Sequence, residues 1–118
     1  DSNPRAAVIE KMFNERTGIA NMNDNTARAV QSVFVIADVL NRAGTTDREA
    51  IRKAFTETKI MGEDLIVPWS EISFNEAGQN EYARALLCQV QGGKYVTVWP
   101  KEYATAELIW PIPAWSER

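Results

Sequence analysis

The chain has 118 residues, 45% of them hydrophobic and 25% charged, a composition that fits one ordinary globular domain. Its net charge is −3, with Lys and Arg scattered among acids, which argues against a nucleic-acid surface. No apolar run reaches the roughly 20 residues a membrane-spanning helix needs, and histidine, the usual near-neutral base and commonest metal ligand, is absent.

Asp1 opens the chain without Met or an apolar leader, which reads as a processed, cloned or proteolysed end. The first predicted element is an amphipathic helix. Pro4 suits its first position, Asn3 or Ser2 can cap it, and Gly18 stops it. Val8, Ile9, Met12 and Phe13 recur at helical spacing opposite Arg5, Lys11, Asn14 and Glu15.

A polar loop, Asn23-Asp24-Asn25, leads into a second helix running to Ala43, with Gly44 as its stop. Val30, Val33, Phe34, Ala37 and Leu40 form one stripe. Val35, Ile36 and Val39 fill much of the remaining circumference, leaving Gln31, Asp38 and Asn41 as the polar side. A helix this apolar is covered on more than one face, because each such side chain left in water forfeits about 1.5–3 kcal/mol. A third helix follows Arg42-Ala43-Gly44-Thr45-Thr46-Asp47. Thr46 and Glu49 have the spacing of a capping box, and Ala50, Ile51, Ala54 and Phe55 supply the buried stripe.

After Thr58 helical periodicity gives way to extended runs. Leu65-Ile66-Val67 stops at Pro68, Ile72-Ser73-Phe74 reads as a short strand, and Asn75-Glu76-Ala77-Gly78 as a turn. Leu86–Gln91 and Tyr95–Trp99 make a hairpin across Gly92-Gly93, ended by Pro100, before an irregular tail. Cys88 is alone, so no internal disulfide forms, and a buried structural thiol is expected. Three helices before a few antiparallel strands leave the second helix without the sheet it would cover. Either the strands fold over it or another polypeptide supplies the layer.

From about Ala6 to Trp99 the ordered set of a helix, Arg42-Ala43-Gly44, a capped helix, Phe74 to Gln79, Gln91-Gly92-Gly93-Lys94 and Trp99-Pro100 resembles the C-terminal third of type I periplasmic solute-binding proteins. These are the amino-acid-type receptors of ABC importers. The resemblance implies an α/β fold of the periplasmic-binding-protein-like I class, with two lobes and a small ligand in the cleft between them. It places residues 1–80 in the helical part of the first lobe, 81–85 at the hinge crossing, and 86–118, with the hairpin and tail, in the second lobe.

The resemblance also puts Met22, Asn23, Asp24 and Asn25 at the cleft mouth as candidate ligand-binding residues, although capping of the second helix is an open alternative for the three polar ones. Trp69 and Trp99 could line a cleft or serve as packing. The implied partners are an amino acid or related organic acid, an ABC permease, and the remainder of the receptor or a second copy of the chain. The implied location is periplasmic. No catalytic residue, cofactor or metal ligand is expected. Glu63 with Asp64, and Glu57 with Lys59, could be nominated as acid–base pairs, but they read as exposed loop charges, and no nucleophile elbow or phosphate loop occurs. The alternative function is a small structural or oligomerising domain that uses an exposed apolar helix face.

Overall fold

The computed structural model describes residues 3–117, so Ser2, the alternative cap, lies outside the described residues. Asn3 Oδ1 accepts the backbone N–H groups of Arg5 and Ala6 at 3.0 and 3.2 Å, which starts α1, Pro4–Thr17. Asn23 starts α2, Asp24–Ala43, and Gly18 and Gly44 end the two helices in the left-handed conformation. The third helix, α3, spans Arg48–Thr56. Its cap is Asp47, whose Oδ1 accepts from Ala50 N at 3.0 Å. The expected Thr46–Glu49 box therefore does not form: the cap falls one residue later, where a carboxylate takes the free N–H, and Ala50 has no side chain to return the bond.

Two small antiparallel sheets follow, making the chain a small α/β protein. Strand β1, Lys59–Met61, pairs with β2, Glu71–Ser73. Leu65-Ile66-Val67 is not a strand. It is an irregular crossing between β1 and β2, entered by a 3-10 turn at Gly62–Asp64, yet all three residues are buried. Gly62 lets that loop close, because a Cβ there would lie 2.8 Å from the Trp69 carbonyl oxygen. Strand β3, Leu87–Gln91, pairs with β4, Lys94–Trp99. Gly92 and Gly93, with φ of 57° and 76°, make the two-residue turn that matches the natural strand twist.

The chain divides by internal packing into two units, residues 1–83 and 84–118. The first holds the core: Val35, Val39, Ala54, Leu65, Ile66, Val67 and Ile72. Around it pack half-buried Ala6, Ile9, Ile51, Phe55 and Phe74. The phenyl rings of Phe55 and Phe74 meet edge to face, with centroids 6.1 Å apart.

The second unit carries large exposed side chains, among them Tyr95, Trp99, Trp110 and Trp115. Polar clamps organise it. The Gln89 side chain accepts from Ile109 N and donates to Ile109 O, each at 3.0 Å, and Gln91 Nε2 donates to Glu107 O at 2.8 Å. Thr97 takes the other edge of the hairpin, its carbonyl accepting from Thr105 N at 2.8 Å. Cys88 is exposed, not buried as expected, with its sulfur 3.8 Å from the Thr97 hydroxyl. A two-stranded sheet has no second layer to cover that face.

Candidate functional site

The loop ahead of α2 is occupied by the helix itself. Asn23 Oδ1 accepts the backbone N–H of Thr26 at 2.9 Å and its hydroxyl at 3.0 Å. Asp24 pairs with Arg28 at 3.1 Å, one helical turn on. Met22 is half-buried and Asn25 is exposed. Capping therefore accounts for Asn23, and a local ion pair for Asp24. Trp69 is half-buried against the core of the first unit, whereas Trp99 is exposed in the second.

The orientation of α2 differs from the expected one. Gln31, on the side expected to meet solvent, is buried along with Val35 and Val39. Its Oε1 accepts Ile66 N at 2.8 Å. Asp38 is half-buried and holds Arg42 Nε at 2.8 Å. Arg42 also donates to Ala54 O and to the Thr58 hydroxyl, both at 2.8 Å. One guanidinium thus closes the carbonyl end of α3, where a cation is favoured. Gln31 faces inward and Asp38 partly so because each finds a partner there, which removes the desolvation penalty, whereas Asn41 stays exposed as expected.

The consequence lies on the opposite side. Val33, Phe34, Ile36 and Leu40 are exposed, Val33 by 64%. With Ala37, also exposed, they form a continuous apolar face along about two helical turns or more. Beside it runs a groove of about 530 Å³ between the start of α1, α2 and the β1–β2 crossing. Val8, Ile9, Phe34, Ile60 and Ile66 give it an apolar lining, and the Arg5–Asp64 ion pair at 2.9 Å stands at its edge. None of the residues from Met22 to Asn25 lines this groove.

Of the nominated acid–base residues, Glu57, Lys59 and Asp64 each have another partner. Glu57 pairs with Lys53, Lys59 with Glu71, and Asp64 with Arg5. Among the described residues no cluster of His, Cys, Asp and Glu could hold a metal ion, and no helix is long and apolar enough to cross a membrane.

The inward role of Gln31 and Arg42 went unread in the sequence. A signal was present: Asp24, Arg28, Gln31, Asp38 and Arg42 fall on one side of α2 at helical spacing. In a helix otherwise apolar, such an aligned polar row marks either a solvated side or a bonded seam, and only the partners decide between them. No protein-family model matches the chain, and no curated protein sequence matches it significantly.

Proposed function

We propose that the chain is the C-terminal part of an extracytoplasmic, periplasmic solute receptor of the type I class. In this reading the whole receptor holds an amino acid or similar small organic acid between two lobes and hands it to the permease of an ABC importer. The observation that carries the reading is the outward apolar face of α2. Val33, Phe34, Ile36 and Leu40 stand exposed on a helix whose other side already carries the chain's own core. A sheet supplied by the remainder of the receptor is the natural cover for such a face. The division of the chain after Ala83, inside the segment 81–85, also supports a crossing between lobes there.

The protein then works by lobe closure and catalyses nothing, the crossing segments absorbing the backbone rotation. Met22, Asn23, Asp24 and Asn25 sit at the cleft mouth in this scheme. There the N-terminus of α2 and its Asn23 cap would frame the edge of the ligand site rather than grip its centre.

Calorimetry tests the proposal. The chain alone gives no micromolar binding to any member of an amino-acid panel, while the same chain extended upstream of Asp1 binds one of them. Tight one-to-one binding by a monomer of this chain alone overturns the reading. The exposed face also favours a second reading, an oligomerising domain in which a second copy covers α2. A natural reading frame of this length, with a stable dimer in light scattering, selects that alternative.

A further inference from the structure

A second groove in the first unit, of about 620 Å³, runs between α3 and the turn that follows β2. Half-buried Ile51, Phe55 and Phe74 give it an apolar floor. The turn is held from within, because Asn75 Oδ1 accepts the backbone N–H groups of Ala77 and Gln79, each at 3.0 Å. Arg48 and Arg52, both exposed, stand on the α3 side.

That pair breaks the charge pattern of the helices. Charged residues four positions apart are neighbours on a helix surface, and elsewhere in α1, α2 and α3 they are opposite in sign. Lys11 precedes Glu15, Asp24 precedes Arg28, Asp38 precedes Arg42, and Glu49 precedes Lys53. Arg48 and Arg52 are alike in sign, which disfavours the helix that carries them. Arg48 is also the first residue of α3, where the helix dipole disfavours a cation. Among the described residues neither guanidinium forms an ion pair, so both are open to an acceptor from outside. Glu76, on the turn, is the acid of the lining.

From this charge pattern we infer that the groove docks a segment of a partner protein that presents two carboxylates beside an apolar side chain. Carboxylates two residues apart on an extended segment rise from backbone positions about 6.6 Å apart. Side chains one helical turn apart start about 5–6 Å apart, so each carboxylate can meet one guanidinium. The residue between the two acids points the other way in an extended chain, and it supplies the apolar anchor for the floor. Glu76 disfavours a uniformly acidic tract, so the turn side of the segment is neutral or basic. Every lining residue belongs to the first unit and none lies on α2, so the site is independent of the receptor reading.

The test is a titration of the 15N-labelled chain, read at backbone amides and arginine Nε–H groups, with the peptide acetyl-Glu-Phe-Glu-amide. Saturable shifts are expected at Arg48, Ile51, Arg52, Phe55 and Phe74. Acetyl-Gln-Phe-Gln-amide is expected to bind about fivefold more weakly, the worth of two exposed ion pairs, and the difference shrinks as salt is raised. Arg48→Gln with Arg52→Gln keeps α3 folded, since both positions are exposed and a like-charge pair is relieved, and it makes the two peptides bind alike. The proposal is overturned by the absence of saturable shifts, by shifts centred elsewhere, by equal binding of the two peptides to the parent chain, or by a preference for the acidic peptide that survives in the double variant. Equal affinity for glutarate alone would also overturn it, by showing a site for free anions rather than for a chain segment.

Discussion

The two sides of α2 carry similar side chains to opposite ends. Val39 is fully buried and Val33 is 64% exposed, though both are β-branched residues in the middle of one helix. The side that the chain itself covers is the one with Gln31, Asp38 and Arg42, and the side left open is the more uniformly apolar. Hydrophobicity alone would have turned the helix the other way. The orientation follows from specific partners: Ile66 N for Gln31, and Ala54 O and the Thr58 hydroxyl for Arg42.

The sharpest way to break this comparison is a matched pair of truncations. Val39→Ala is expected to cost about 2–3 kcal/mol, from two lost methyl groups and the space they leave. Val33→Ala is expected to lie within about 0.5 kcal/mol of the parent in a urea melt dilute enough to keep the chain monomeric. Equal losses at the two positions would mean that the outward face is already covered in solution. Gln31→Met, close in size, is next at about 1–3 kcal/mol, because it leaves the buried N–H of Ile66 unpaired. A melt unchanged by it would show that the inward orientation of α2 does not depend on that bond.

Asn23→Ala removes the cap of α2 at a cost of about 1 kcal/mol, read in the same way, with no change expected at α3. The smallest effect on stability, within about 0.5 kcal/mol, comes from Val33→Gln with Leu40→Gln. Its informative readout is mass. Light scattering is expected to show the parent chain as a dimer or larger and the double variant shifted toward monomer. A parent chain that is a monodisperse monomer removes the argument that the face seeks a partner.

Much of the local structure was legible because it depends on local chemistry. The caps at Asn3, Asn23, Gly18 and Gly44 and the turn at Gly92-Gly93 all rest on interactions within a few residues. What was not legible depended on distant partners. The inward turn of Gln31 requires Ile66, 35 residues away. Leu65–Val67 looked extended and apolar, yet it serves as a buried crossing, tied to the start of α1 by the bond from Asn3 Nδ2 to Leu65 O at 2.8 Å. The expectation of a buried thiol at Cys88 followed from the usual behaviour of cysteine and failed because the hairpin lacks a covering layer. Of the candidate loop, the capping function of Asn23 was readable, whereas the apolar cavity lined by Val35, Phe55, Trp69 and Ile72 was not. Its lining comes from α2, α3, β2 and the segments flanking β2, which no short motif connects.

The glutamine clamps of the hairpin unit set a chemical clock on that region. Gln89 and Gln91 each hold a main-chain carbonyl of the tail through Nε2, the nitrogen that is lost when a glutamine side chain hydrolyses with age. Deamidation of either would put a carboxylate against a carbonyl oxygen, setting two acceptors face to face. Old preparations should therefore release the segment around Glu107 and Ile109 to proteases while the helical unit stays intact.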